Sequence, residues 1–341
     1  MRVSLAYLLK RVLYLVAVIW LAATINFVLP RIAAQDPVLA QLTELEASIG
    51  GQRTLSVQEA IDLYRSWAGL NQPLWRQYTQ YLGNMLRMDF GYAFSRYRPV
   101  WEIVGYALPW TIGLLGTTTI ISFAVGTVAG AMAAWRRSSG ILNFAVYFLM
   151  VLAVIPAFII GLVLAEILAF RLKLFPIVGT FTPGRYIDLT DIEFWLDVIH
   201  HATLPSLALF LGTAGTWAMG SRGMMVTVLG SDFLAFAETK GVKRWRLLRQ
   251  YALRNVMLPQ VTLLAISLGT LVSSVTIVEV MFGYPGVGSV LEEAILASDY
   301  NLIQGCVFFL IVAIAIATFL LDLTYPLLDP RITYGEDTGG L

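Results

Sequence analysis

Six apolar runs of about twenty residues or more constrain this chain more than any other feature. The runs cover residues 12–29, 109–135, 141–170, 203–221, 256–278 and 302–321. A helix rises about 1.5 Å per residue, so about twenty residues cross the roughly 30 Å of hydrocarbon in a bilayer. Inside lipid every backbone polar group must be paired within the protein, and the runs lack the alternation that is typical of a closed β-barrel. The sequence therefore predicts an all-α integral membrane protein with six transmembrane helices.

The composition agrees with a membrane protein and argues against other classes. Of 341 residues, 58% are hydrophobic and only 13% are charged, which is unlike the balance of a soluble globular domain. The net charge of +1 gives no indication of a nucleic-acid partner. Cys306 is the only cysteine, so no internal disulfide can form, and its position in an apolar run predicts a packing role.

The basic residues are concentrated on one predicted side of the membrane. They occupy the amino terminus and the connections after the second and fourth runs, namely Arg2, Lys10, Arg11, Arg136, Arg137, Arg222, Lys240, Lys243, Arg244, Arg246, Arg249 and Arg254. The connection 279–301 contains four acidic residues and no Lys or Arg. By the positive-inside rule, both termini and the loop 222–255 are predicted to be cytoplasmic. The first run is predicted to remain as a span, because Pro30 and Arg31 follow it where a cleavage site would need small residues.

Residues 31–107 are predicted to form an extracytoplasmic helical insertion between the first two spans. The segment contains seven basic residues, but long loops are translocated largely regardless of charge. Ser56 and Glu59 form a capping-box pattern, and Pro73 suits the start of a second helix. The predicted apolar face of that second helix contains Trp75, Tyr78 and Leu82. These helices are expected on or near the outer membrane surface, either as a lid over the bundle or as a docking surface.

The loop after the fourth run has the pattern of a short helix with an apolar surface. Ser231 suits the N-cap, Asp232 suits the positive end of the helix dipole, and Gly241 suits a left-handed stop. A helix over 232–240 would place apolar side chains in water, among them Phe233, Leu234, Phe236 and Ala237. A second helix is predicted to run from Gly241 toward Pro259. Membrane topology explains the basic residues, whereas the apolar surface is explained by a cytoplasmic protein partner.

The remaining features of the bundle have ordinary structural interpretations beside functional ones. Pro156 predicts a kink in the third span, and the glycine pairs Gly126/Gly130 and Gly212/Gly215 predict close helix packing. Glu166, Asp322, His200 and His201 lie near span ends, where interface anchoring is favoured over a proton, substrate or metal role. The outer-mouth loop, with Tyr284, Pro285, Gly286 and Gly288, predicts a tight or re-entrant turn that either borders a substrate entrance or closes the bundle.

The loop around Gly241 resembles the cytoplasmic signature loop of permeases from binding-protein-dependent ABC importers, in which Glu-Ala-Ala is followed four positions later by Gly. Ala235, Phe236 and Ala237 stand where Glu-Ala-Ala would be, and Gly241 matches the glycine. The first two positions depart from the pattern, and Arg254 takes the place of a later proline.

Five further stretches, in the right order, are similar to the dipeptide/oligopeptide branch of that family. They are YLLKRVLYL at 7–15, GLNQPLWRQYTQYLGNMLRMDFG at 69–91, ALRN at 252–255, VEVMFGYPGVGSVLEEAI at 278–295 and LLDPRI at 327–332. The resemblance covers nearly the whole chain. RIAAQDP at 31–37 departs from the branch pattern, and 43–58 has the character of an insertion, so the substrate stays open among oligopeptides, dipeptides, nickel chelates and oligosaccharides.

The resemblance implies a type I ABC importer permease with multiple spans in the bacterial cytoplasmic membrane. It divides the chain into 1–30 with the first span, the periplasmic segment 31–107, a five-helix core 108–330 that contains the coupling loop 230–256, and a cytoplasmic tail 331–341. The residues it implies for ATPase coupling are Phe233, Leu234, Phe236, Ala237, Glu238, Gly241 and Arg254.

The resemblance also implies the partners. They are a homologous second permease in a heterodimer, two ATP-binding cassette ATPases, an extracytoplasmic solute-binding protein and membrane lipid. No phosphate loop of the GxxxxGK[ST] type occurs, so ATP and Mg²⁺ are expected on the ATPase, and this chain is expected to be neither an enzyme nor a cofactor or metal protein. A secondary transporter or channel would show inverted halves or paired charges in mid-membrane, and a membrane enzyme would show a motif such as HExxH. The sequence contains neither signal.

Overall fold

The computed structural model of the chain describes residues 5–32, 72–135, 139–185 and 187–328, and these are almost entirely helical. The helices are α1 (Leu5–Ile32), α2 (Leu74–Leu86), α3 (Val100–Ala134), α4 (Gly140–Leu152), α5 (Ala157–Arg171), α6 (Ile192–Leu229), α7 (Asp232–Thr239), α8 (Arg244–Met281), α9 (Val287–Leu296) and α10 (Tyr300–Leu328). A two-stranded hairpin of β1 (Tyr92–Ala93) and β2 (Arg98–Pro99) lies between α2 and α3. The predicted all-α class is confirmed.

Within the described residues, α1, α3, α6, α8 and α10 are each long and apolar enough to cross a membrane. The pair α4 and α5 meets the same requirement only when the two helices are taken together, and they are bent by 108° with respect to each other. The third predicted span is therefore broken rather than continuous. Pro156 stands immediately before α5 and supplies the physical reason, since it lacks an N–H and keeps the preceding residue out of the helical region.

The described helices extend beyond the apolar runs that predict them. The fourth run predicts 203–221, whereas α6 covers Ile192–Leu229 and is capped by Asp191, whose side chain accepts a hydrogen bond from the Glu193 N–H. Apolar runs mark the part of a helix that fits the hydrocarbon, while capping and polar residues determine where the helix ends.

The chain divides into two compact units. Of the described residues, one unit contains those within 5–13, 109–289 and 316–328, and the other contains those within 14–32, 72–108 and 290–315. In the first unit, glycines allow α3, α4 and α6 to pack with their backbones in contact. A Cβ atom at Gly130 would overlap the Ala218 carbonyl oxygen, and one at Gly215 would overlap the carbonyl oxygen of Leu149. A Cβ atom at Gly126 would also come close to residues of α6, and one at Gly212 would come close to a residue of α5. The predicted close packing at both glycine pairs is confirmed.

The second unit places α2 against α1. Tyr78 and Thr24 are joined by a hydrogen bond of 2.7 Å between their hydroxyls, and Asn26 donates to the Tyr81 hydroxyl at 3.2 Å. The predicted start of this helix after Pro73 is confirmed. Trp75, however, is 66% exposed, so the predicted apolar face is only partly buried. The predicted capping box at 56 and 59 lies outside the described residues.

The hairpin in the second unit is held by ion pairing and hydrogen bonds that the sequence did not reveal. Ser95 donates from its N–H and its hydroxyl to Asp299 Oδ2, each at 2.9 Å, and the Arg96 Nε donates to Glu293 Oε1 at 3.0 Å. The hydrogen bond from Arg96 lowers the pKa of Glu293, which favours the charged carboxylate.

Candidate functional site

The helix α7 follows α6 after a single turn and occupies the position predicted for it. It covers Asp232–Thr239, and Ser231 is its N-cap residue in an extended conformation. The Ser231 hydroxyl does not bond to the first turn of α7; it donates instead to the Val228 carbonyl at 2.5 Å. The start of α7 is therefore predicted correctly, while its side-chain cap is absent because the hydroxyl bonds to the end of α6.

Gly241 ends α7 in the manner that the sequence predicts. Its φ of +73° is in the left-handed region, where residues with a Cβ are strained. The Gly241 N–H donates to the Glu238 carbonyl at 2.9 Å, and the Val242 N–H donates to that of Ala237 at 3.3 Å. A Cβ at Gly241 would meet no atom within 4 Å, so its backbone angle alone, not crowding, favours glycine there.

One face of α7 is packed inside the chain. Leu234 and Ala237 are 1% and 5% exposed and form a buried cluster with Leu247 from α8. Four partly buried side chains complete this cluster, from the residue after α3, the end of α6 and the α7–α8 turn, namely Trp135, Val228, Leu229 and Val242. The expectation that Ala237 presents apolar surface to a partner is therefore wrong for this structure, because the side chain already packs against α8. The same applies to Leu234.

The opposite face of α7 is open. Phe233 is 44% exposed and Phe236 is 62% exposed, although both are large aromatic residues. The Lys240 Nζ lies 4.5 Å from the centroid of the Phe236 ring, which is the geometry of a cation–π contact. Glu238 is half-buried, and Arg254 is exposed on α8. Of the large apolar residues on α7, the two phenylalanines are thus the ones whose surface is available.

The start of α8 fixes α7 to the helices around it. Residues Leu247–Ala252 form a π-helical turn, and Leu248 and Ala252 are buried with Ala131 of α3 and Met225 of α6. Trp245, one turn earlier, is 67% exposed, so the apolar residues of this segment do not all face inward. The wider π turn changes which side chains face the bundle. The first cluster joins α7 to the end of α6 and the start of α8, and the second joins the start of α8 to α3 and α6.

The segment Tyr284 to Gly288, here called the YPGVG turn, connects α8 to α9 at the end of α8 that is remote from α7. The predicted break at this position is confirmed. Tyr284 is only 3% exposed, and Gly286 and Gly288 are buried. Burial and the charge of Glu279 raise the pKa of Tyr284 to about 12. The turn is therefore packed into the first unit, whereas an open mouth would leave its side chains exposed.

Glu279 is a buried residue at the end of α8 for which the sequence predicts no role. It was counted only among the acidic charges of the 279–301 connection, yet it is 0% exposed in the structure. Its Oε2 accepts a hydrogen bond of 2.8 Å from the Gly288 N–H. The available signal was a carboxylate at the end of an apolar run, directly before a glycine-rich turn.

The other ionisable candidates have local partners. Arg11 pairs with Asp322 at 2.9 Å, and Arg171 pairs with Glu166 at the same distance on an exposed surface. His201 Nδ1 lies 2.9 Å from the Asp197 carbonyl oxygen. Across the described residues, no group of three or more His, Cys, Asp or Glu side chains has the geometry of a metal site.

Comparison with known proteins gives one consistent result. Residues 126–334 match the family described as "Binding-protein-dependent transport system inner membrane component". The chain is 30% identical over 301 residues to the dipeptide transport system permease protein DppB of Escherichia coli strain K12, with 84% of this chain and 88% of that protein covered. It is 32% identical over 328 residues to the dipeptide transport system permease protein DppB of Bacillus subtilis strain 168, with 96% and 97% covered. The oligopeptide transport system permease protein AppB of that strain is 28% identical over 332 residues, with 96% and 99% covered.

Proposed function

Because the chain belongs to the family of inner membrane components of binding-protein-dependent transport systems, we propose that it forms half of the translocation pathway of an ATP-driven importer and couples to a cytoplasmic ATPase through α7. The family is one of transport permeases, so this chain is a non-catalytic, multi-pass inner-membrane subunit. Energy for transport comes from ATP and Mg²⁺ bound to a separate subunit.

The observation that carries this proposal is the pair of exposed phenylalanines on a helix whose other face is fixed. Phe233 and Phe236 expose apolar surface, while Leu234 and Ala237 hold α7 against α8. Exposed aromatic surface on a short, well-packed helix is typical of a protein interface. A groove on the ATPase would cover the two rings and gain the free energy of burying them.

The orientation follows from the charges. Lys243, Arg244, Arg246 and Arg249 are exposed around the junction of α7 and α8. Basic residues are retained on the cytoplasmic side of membrane proteins. We therefore place α7 and both termini in the cytoplasm, and the YPGVG turn on the outer side.

The coupling mechanism uses α7 as a rigid element. When ATP closes the two ATPase subunits, the movement is passed to α7 through Phe233 and Phe236. Because Leu234, Ala237 and Leu247 form one buried cluster, α7 moves together with the start of α8. This displacement shifts the bundle between inward-open and outward-open arrangements, which makes the bundle a two-state element biased by nucleotide.

The complete importer contains this chain, a homologous second permease, two ATPases and an extracytoplasmic binding protein that delivers the solute. We propose peptides as the solute, because the relatives are described as dipeptide, oligopeptide and peptide transport proteins. Oligosaccharides are the alternative substrate class.

Co-purification followed by reconstitution tests this function. A tagged chain taken from native membranes should bring down a P-loop ATPase and a second permease. In proteoliposomes, the complex with its binding protein should take up a labelled tripeptide only when ATP is supplied, and an unlabelled trisaccharide should not compete. Uptake by the isolated chain without an ATPase would contradict the importer function, whereas competition by the trisaccharide would contradict only the substrate class.

A further inference from the structure

The Glu279 carboxylate is enclosed by the turn that follows its own helix. Its side chain is fully buried, and Oε2 accepts the Gly288 N–H at 2.8 Å. Oε1 is buried as well, and no hydrogen-bond partner for it occurs among the described residues. Val275, Val278 and Phe282, which are close to Glu279 along the chain, belong to a buried apolar cluster. A carboxylate in such surroundings is costly, so its position needs an explanation.

The first turn of α9 has backbone donors that require acceptors from other parts of the chain. The N–H groups at the start of a helix have no partner within the helix and need acceptors from elsewhere. Gly288 N–H bonds to Glu279 of α8, and Val287 N–H bonds to the Thr111 Oγ1 of α3 at 2.8 Å. Two long helices therefore supply the capping groups of α9, and a carboxyl oxygen of Glu279 stands at the positive end of the α9 dipole.

The shape of the YPGVG turn fits the carboxylate. A Cβ atom at Gly286 would overlap the Glu279 carboxylate, and one at Gly288 would lie 2.6 Å from the Thr276 Cα and 2.7 Å from Glu279 Oε2. Side chains at either glycine would therefore push the carboxylate or the turn out of place. Neither glycine has a positive φ, so backbone conformation does not explain why glycine is present there. The close approach of the Glu279 carboxylate does.

We infer that Glu279 is a positioning residue that holds the YPGVG turn and the first turn of α9 onto the end of α8, so that this turn follows α8 when the transporter changes state. This inference rests on the proposed function for its role in uptake, but the contact itself does not depend on that function. Along the chain, α7 precedes α8 and α9 follows it. The buried α7 cluster attaches α7 to the start of α8, and Glu279 attaches the first turn of α9 to the end of α8.

Thiol labelling measures whether the turn is held. Ser289 is half-buried beside the contact, and Cys306 is the only native cysteine, so Ser289→Cys in a Cys306→Ala background provides a single probe. In the purified complex, Glu279→Ala should raise the rate of labelling by a polar maleimide about tenfold, because Gly288 loses its acceptor. Glu279→Gln should label at the parent rate, since its amide oxygen can accept the same bond. Glu166→Ala is the matched control, because it removes an exposed carboxylate and should change nothing.

A second pair of variants tests the contact even if Glu279→Ala fails to fold. Gly286→Ala should raise labelling in the parent, because its Cβ overlaps the carboxylate. In the Glu279→Gln background it should raise labelling equally, and in a Glu279→Ser background, which frees the space, it should add little. The inference is overturned if folded Glu279→Ala labels at the parent rate, if Glu279→Gln labels as fast as Glu279→Ala, or if the effects of Gly286→Ala and Glu279→Ser are additive.

Measurements of tripeptide uptake and of ATPase co-purification distinguish a failure of this inference from a failure of the proposed function. The complex with Glu279→Ala should still contain its ATPase but should take up labelled tripeptide about tenfold more slowly, and Glu279→Gln should restore uptake. Failure to co-purify any ATPase with the parent chain would contradict the proposed function and leave the labelling result intact. Parent-like uptake by Glu279→Ala would contradict the role of Glu279 while leaving the importer function intact.

Discussion

Replacing Phe233 and Phe236 together with aspartate is expected to lower ATP-dependent uptake by about 100-fold, because each buried aromatic ring contributes roughly 1.5–3 kcal/mol and each 1.4 kcal/mol is about tenfold in affinity. The two rings are the exposed apolar surface of α7, and aspartate would place a charge in the groove that covers them. The measurement is uptake of labelled tripeptide by proteoliposomes, together with the amount of ATPase that co-purifies.

Thr239→Asp is the matched control for this double variant. It adds a negative charge to the same helix at an exposed position and leaves both rings in place. We expect it to retain most of the uptake and the full amount of bound ATPase. Normal uptake by the double aspartate variant would show that the rings do not form the interface. The double variant is expected to fold, because neither ring belongs to the buried α7 cluster. Gel filtration checks this expectation.

Gly241→Val is expected to separate ATP hydrolysis from transport. A Cβ at this position has free space, so the substitution acts on the backbone, where a φ of +73° costs a β-branched residue about 1–2 kcal/mol or more. The strain is relieved if the turn between α7 and α8 opens, and α7 then no longer moves with the bundle. We expect uptake to fall about tenfold per ATP hydrolysed, since 1.4 kcal/mol corresponds to about tenfold in an equilibrium. The measurement is the ratio of tripeptide taken up to phosphate released.

Two other variants make the Gly241 result specific. Gly241→Asn should recover much of the coupling, because asparagine tolerates the left-handed region better than valine does. Gly230→Ala changes the glycine at the other end of α7, where φ is −83°, and it should behave as the parent. Equal coupling in Gly241→Val and the parent would exclude the left-handed stop as a requirement for transport.

The membrane-spanning helices were predictable from the sequence because a lipid bilayer requires long apolar segments. A helix that crosses a bilayer must be apolar over about twenty residues, so all six runs could be located without knowledge of their neighbours. The break of the third span was only partly predictable. Pro156 indicates where a helix is interrupted, but the 108° bend depends on how α4 and α5 pack against α6.

The candidate site was predictable in position but not in orientation. Ser231 and Gly241 mark the ends of α7 because the extended backbone at Ser231 and the left-handed backbone at Gly241 are local properties of the chain. The assignment of Leu234 and Ala237 to the buried face depends on contacts with Leu247, which follows a turn whose direction the sequence does not specify. Glu279 was missed for a similar reason, since its acceptor role depends on a turn that folds back nine residues later.

Site-specific photo-crosslinking from position 236 tests the central claim most directly. A benzophenone amino acid placed at Phe236 in the assembled transporter should crosslink to the P-loop ATPase. The same group at Ile266, an exposed residue in the apolar part of α8, should not reach the ATPase. Crosslinks from position 236 to the extracytoplasmic binding protein, or to lipid alone in a complex that contains the ATPase, would contradict the claim that α7 is the contact through which ATP hydrolysis drives this permease.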